Sequence, residues 1–421
     1  MKLSLPTINI AGLAKAPVLI FLLFLKYRLY VLLLGIFIIL SGACNQNPKS
    51  VPGLARISVD LSEARTGKLS EFFEPHIEYI WLEDGSEEAQ LNAGLQKVLF
   101  HEGRIYTLDI FGCKCIHIFD KSGKYLSKID AYGEGPGQYL DFDDLAVVDE
   151  ELVLLGVFPR KIMWFSLEGD YLRELTFREQ LGPGVFSEFD QRFYLYTETR
   201  DPEDYFVKSF NKSFQDTIKH FPYHPEKLYG HHSGRNYFQK SQKNLYYGMT
   251  FLDTIYQVEK RNFVPKLVFD FGKYAQDPEE LKRIDHPVEK INFLNNSAKL
   301  YFTGQYLVSE KQLYTYLKYE KKVYNLFFDR DKQQTLLLQD RILDDIDGGF
   351  DPFMFIYSFG PGKVGVKVPG RDLYEVLMEK KANMGKAEFE SWVTNQGKNF
   401  AETAMAARDS ENPVLIVYRL K

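Results

Sequence analysis

The chain has 421 residues, 57 acidic against 52 basic, and a formal charge of −5. An acidic balance without a basic stripe excludes a nucleic-acid partner, because phosphate binding needs clustered Lys and Arg. Three cysteines in 421 residues are too few to staple a fold of this size.

Residues 1–43 carry Lys2, Lys15, Lys26 and Arg28 and no acidic side chain, so without them the −5 of the chain becomes −9. An apolar run, Leu29–Leu40, follows the last basic pair, and an earlier one spans Val18–Leu25. A basic region, a short apolar stretch and small residues form the pattern of a secretory signal. The later run is short for a spanning helix, which needs about 20 residues. Ser41-Gly42-Ala43-Cys44 resembles the bacterial lipobox, with Leu40 one place further back than usual. This reading makes residues 1–43 a signal peptide, Cys44 the lipidated residue and 44–54 a linker. Acyl chains on Cys44 would hold the protein at a membrane of the cell envelope, periplasmic or outer, since two chains suffice for stable anchoring.

From residue 55 the pattern is all-β. Ile57–Leu61 and Ile77–Leu82 read as strands. Further on, Ile116, Phe119, Gly123, Tyr125, Leu126 and Ile129 recur 46 residues later as Ile162, Phe165, Gly169, Tyr171, Leu172 and Leu175. Each unit alternates to a Phe, turns at Gly and resumes at Tyr-Leu, as a tight hairpin does. Leu95–Phe100 and Arg104–Asp109 precede the first copy; Asp144–Asp149 and Leu152–Val157 precede the second. Four short antiparallel strands per repeat describe one propeller blade. Weaker copies give Phe193–Thr197 with Phe206–Phe210, Leu245–Met249 with Thr254–Val258, Leu313–Tyr319 with Val323–Phe328, and Val364–Val368 with Leu373–Leu377. The expectation is a six-bladed β-propeller over residues 55–421. Lys273–Ala298, opening at Asp277-Pro278-Glu279-Glu280, is expected as a helical insertion between blades four and five. Ala387–Arg408, with Phe389, Trp392, Val393, Phe400 and Met405, is expected as one amphipathic helix before the closing strand Pro413–Leu420. Strands from both termini should complete a single blade, since an open ring leaves a sheet edge exposed.

Cys113 and Cys115, two apart on a strand, would face the same way near the limit of disulfide reach. The expectation is two free or half-buried thiols, and no further ligands for a metal are evident there. Gly133-Glu134-Gly135-Pro136-Gly137-Gln138-Tyr139 lacks the dinucleotide spacing and leads into a strand, so it reads as a turn between blades.

That turn, after a Phe-Asp-x-x-Gly hairpin, resembles the six-bladed β-propeller lipoproteins of Gram-negative envelopes, relatives of the NHL-repeat propellers. Asp347-Gly348-Gly349, Asn412-Pro413-Val414-Leu415 and the terminal Leu420-Lys421 resemble the same family, over roughly residues 55–421. The resemblance implies fold and location and brings no catalytic residues.

Between-blade loops share a rim with the loops joining second and third strands. Asp130–Asp143, Phe221–Gly234, Lys273–Ala298 and Gln339–Asp351 should therefore gather on one face, where binding concentrates on a rigid scaffold. Asp143, Asp144, His231, His232, Asp345 and Asp347 are the candidate ligand-binding residues. Asp344–Asp351 invites a calcium reading, but the spacing fails the EF-hand loop and a solvated acidic turn is the plainer one. His224, His231 and His232 match no metal frame and read as a surface loop. No nucleophile signature is visible, and the many aromatics read as packing between blades. The function expected is a non-catalytic module binding an envelope protein, peptide or saccharide, with no cofactor. The alternative is a metal-dependent hydrolase or lyase of the lactonase-like propeller type, which rests on fold analogy.

Overall fold

The computed structural model describes residues 53–91, 95–157, 160–176, 184–197, 199, 201, 203–223, 236–284 and 286–421. Six sheets, each with four antiparallel strands running from an inner to an outer edge, make six blades, and one sheet carries a fifth, parallel strand outside its four. The first comprises Lys97–His101, Arg104–Asp109, Cys115–Asp120 and Tyr125–Ile129. The second comprises Asp141–Val148, Glu151–Val157, Lys161–Phe165 and Tyr171–Thr176. Blades three, four and five begin at Gly184, Phe238 and Tyr306. The sixth takes its inner strands from Tyr357–Gly360 and Lys363–Pro369, its third from Pro413–Arg419 and its outer strand from Glu78–Trp81. The two ends of the chain thus close one blade, with Tyr79 opposite Ile416.

The buried apolar residues form six clusters, one at each junction between neighbouring blades. Leu108 and Ile116 meet Leu145 and Leu152 between blades one and two. Val98 and Ile105 meet Leu415 and Val417 between blades one and six. The other four junctions are filled in the same way. A four-stranded blade cannot bury both faces alone, so stacking around a ring supplies the core. The 46-residue repeat falls on corresponding registers: Ile116 faces Ile129, and Ile162 faces Leu175. Its glycine does two jobs. Gly123 and Gly169 turn the outer hairpins at φ +93° and +101°. A Cβ there would lie 1.8 Å from the Trp81 carbonyl oxygen or 3.0 Å from Ile129, each on the outer strand of the preceding blade.

Three expectations are corrected. Ile57 does not lie in the closing blade; Ala55–Ser58 runs parallel to Asn262–Asp270, the outer strand of blade four. From there the chain straps the outside of the ring, with Arg65 bridging to Leu338 and Lys68 to Leu343, before reaching blade six. An edge strand can pair with any open edge of matching pattern, and only the ring's geometry selects among them. Leu373–Leu377 is helix, inside α3 (Gly370–Asn383), because Leu373 and Leu377 are both buried at the i, i+4 spacing of one helical face. The expected single helix at 387–408 is two, α4 (Lys386–Asn395) and α5 (Lys398–Ala406), broken where Trp392 packs over Gly397. Phe389, Trp392 and Phe400 do pack on the ring, whereas Met405 faces solvent. Between blades four and five stand two short helices, α1 (Pro278–Lys282) and α2 (Pro287–Asn296). Asp277 caps the first, accepting from the Glu279 amide at 2.9 Å. Among the described residues, no helix is long and apolar enough to cross a membrane.

Candidate functional site

The inner strands surround a central cavity of about 850 Å³. Among the described residues its walls carry Lys97, Lys240 and Lys367, one carboxylate (Glu188), the imidazole of His101, and the carboxamides of Gln96, Asn236, Gln239 and Gln305. Phe100, Phe238, Ile356 and Tyr357 supply apolar surface. Asn236 spans three blades at the mouth, donating to the Gln305 side chain at 2.7 Å and to the Ile356 carbonyl at 3.0 Å. Lys367 donates to the Leu95 carbonyl at 2.7 Å and lies 5.3 Å from the Tyr357 ring. Burial pulls the Lys367 ammonium down to about 8, with the Asp109 carboxylate pulling the other way.

Asp143 and Asp144 lie in the first half of the inner strand of blade two, and both are engaged between blades. Asp143 pairs with Arg160 at 2.7 Å and accepts from the Gly184 amide at 3.1 Å. Asp144, 1% exposed, accepts from Lys97 at 2.8 Å and from the Phe186 amide of blade three at 2.9 Å. Lys97 is the wall residue of this pair. The Gly-rich segment is indeed a turn between blades, pinned by Tyr139, whose buried hydroxyl donates to the Lys114 carbonyl at 2.9 Å.

Asp345 and Asp347 lie in the loop between blades five and six and do not line the cavity; Asp345 faces Ser70, and Asp347 faces Tyr79 of the outer strand of blade six. The Ser70 amide and hydroxyl donate to Asp345 at 3.0 and 2.7 Å. Burial works to raise the Asp345 carboxyl, but these Ser70 bonds outweigh it and hold the group below the ordinary range. Tyr79 and the Gly349 amide donate to Asp347 at 3.1 and 2.9 Å. Burial, then the adjacent Asp344, pushes the Asp347 carboxyl up to about 8. Asp344 organises the loop by accepting from the amides of Ile346, Asp347, Gly349 and Phe350. Asp351 accepts from the Asp344 amide at 2.7 Å. The structure therefore separates Asp143 and Asp144 from Asp345 and Asp347. His224, His231, His232 and Cys44 lie outside the described residues.

The cysteines are not free thiols: Cys113 and Cys115 form a disulfide, with Cα atoms 5.2 Å apart. The two cysteines do not share one continuous strand: the strand starts at Cys115 and Lys114 takes the left-handed conformation at φ +51°. Cys113 thereby sits in the turn, within reach of its partner. His117, not among the candidates that the sequence offered, shares the strand face of Cys115 two residues on, and the spacing Cys-x-Cys-x-His is its signal in the sequence. On the opposite rim, His101 of blade one lies 2.9 Å from Glu150 of blade two.

No curated protein matches the chain. Among solved structures it is similar to a Bacteroides fragilis protein described as exported, at 15% identity over 87% of this chain and 99% of that one, with a TM-score of 0.64. It is also similar to a DUF4221-family member from Bacteroides vulgatus (11% identity, 83% and 97% covered, TM-score 0.47). A luciferin-regenerating enzyme aligns at 10% identity over 82% and 97%, with a TM-score of 0.39. At 15% identity the likeness to the Bacteroides fragilis protein speaks to fold alone. The family model described as a domain of unknown function, DUF4934, matches residues 55–419, so the chain belongs to the DUF4934 family.

Proposed function

We propose that the protein is an envelope-anchored, non-catalytic binding module of the NHL-like lipoprotein kind, exported by residues 1–43 and tethered through Cys44. Its ligand is an anionic, hydrogen-bonding molecule, such as an acidic saccharide or a peptide carboxylate, taken into the central cavity. One observation carries this reading: among the described residues that line the cavity three lysines stand against one glutamate, Lys97 being paired with Asp144 behind the wall, in a chain whose net charge is −5. A positive cleft with low-dielectric walls concentrates anions. The carboxamides around it would fix orientation, as a few placed polar groups do in a largely apolar site.

Calorimetric titration with a uronic-acid oligosaccharide and its neutral counterpart tests the ligand class. Binding confined to the acidic sugar, weakening with salt and falling at least tenfold in Lys367→Met, is the expected result; equal binding of both sugars refutes it. Incorporation of a clickable palmitate analogue, lost in Cys44→Ser, tests the anchor. Label that persists in the variant removes it.

A further inference from the structure

The Cys113–Cys115 bridge lies at one edge of a buried polar pocket in blade one. Cys113 is exposed, whereas Cys115, His117, Asp109 and Thr107 are each 1% exposed or less. In register, Asp109 stands opposite Cys115 and Thr107 opposite His117, so all four share one face of the blade. Within that pocket the two sulfurs and an imidazole nitrogen lie within 4.8 Å of one another. Cys115 Sγ is 3.7 Å from His117 Nδ1 and 3.8 Å from Nε2. A cation held about 2.3 Å from sulfur and about 2.0 Å from an imidazole nitrogen, at tetrahedral to trigonal angles, places those two atoms roughly 3.6 Å apart. The Thr107 hydroxyl, buried on this face, makes no hydrogen bond. A buried polar group left in that state calls for an explanation, an absent ion among them.

The bridge has little to do for stability. A cross-link between residues two apart closes almost no loop, so it removes little entropy from the unfolded chain. We propose that Cys113, Cys115 and His117 form a redox-gated site for a thiophilic cation, Cu(I), closed as the disulfide and open as the dithiol. Two thiolates are soft donors and imidazole is a borderline one that also suits copper, and soft sulfur ligands select Cu(I). Cys113, the exposed partner of the bridge, is the point of attack for a reductant. A dithiol in the envelope would break the S–S bond by exchange, leaving two thiols here and its own disulfide. A trialkylphosphine does the same in vitro, taking oxygen from water as the two hydrogens go to sulfur. Cu(I) then displaces both thiol protons as it binds.

The test is competition for Cu(I) between the full-length protein and a chromophoric chelator, before and after phosphine reduction and removal of the phosphine. The Cys113→Ser/Cys115→Ser double variant gives the baseline and accounts for Cys44. The reduced protein should hold one Cu(I) per chain above that baseline, and the oxidised protein none. His117→Gln should weaken binding at least tenfold. Reduced protein that binds no more than the double variant overturns the proposal, as does His117→Gln binding as tightly as the parent. Should His117→Gln fail to fold, Cys113→Ser, at an exposed turn, is read against the same tenfold threshold.

Discussion

Lys97 and Asp144 join the first two blades through a 2.8 Å ion pair in which the carboxylate is almost wholly buried. The same carboxylate accepts the Phe186 amide of blade three, so one side chain ties three blades beside the cavity.

Removing it should be expensive. Asp144→Ala leaves a lysine beside an apolar wall and a buried amide without an acceptor, and breaking a buried pair costs about 3–5 kcal/mol. An unfolding free energy lower by that amount in urea titration is expected; a change under about 1 kcal/mol would mean the pair is incidental.

Asn412 ends the helical excursion of blade six. Its amide donates to the carbonyls of Leu82 and Ala89 at 3.0 and 2.9 Å, and its oxygen accepts from the Leu91 amide at 2.8 Å. The residue thus stitches the last strand to the segment leading into blade one. Asn412→Leu keeps the volume and orphans three backbone groups, so a loss of about 3 kcal/mol or more is expected. Thermal melting of the variant against the parent measures it.

Asp347 gives a pH dependence. Its carboxyl is raised from 3.8 to about 8, so between these values the folded chain holds a proton that the unfolded chain has released. Stability from this group is fully present below pH 4 and is lost as pH rises through about 8. Asp347→Asn imitates the protonated form. Melting temperatures of parent and variant from pH 5 to 9 should diverge in favour of the variant as pH rises; parallel curves would remove Asp347 as the cause.

The hairpin of blade five turns at Glu320 and Lys321, with φ +48° and +66°. Two residues at positive φ make a type I′ turn, which Asn-Gly adopts with less strain. Replacing the pair by Asn-Gly should stabilise by about 1 kcal/mol. A urea midpoint that falls instead would show that these side chains make contacts worth more than the strain.

The third and outer strands of blades one and two were legible because a tight hairpin is local: Phe119, Gly123 and Tyr125 specify it within seven residues, and Phe165, Gly169 and Tyr171 repeat it. Leu373 and Leu377 were misread because two apolar residues four apart fit both a strand and a helix. The candidate site was less legible. Neither Asp143 nor Asp144 lines the cavity, Asp144 meeting it only through Lys97, and Lys240, Asn236 and Lys367 come from blades that the repeat leaves unremarkable. They converge only because the ring closes.

Taken alone, the order of residues determined the blade period, the turns and the helical insertion after Asp277, all of which arise from neighbours within a few dozen positions. Tertiary structure decided the rest: that Ala55–Ser58 joins blade four, that Glu78–Trp81 completes blade six some 330 residues from its partner, and that Cys113 reaches Cys115. Edge strands carry interchangeable hydrogen-bonding groups, so their partners are chosen by which edge the packed ring leaves open.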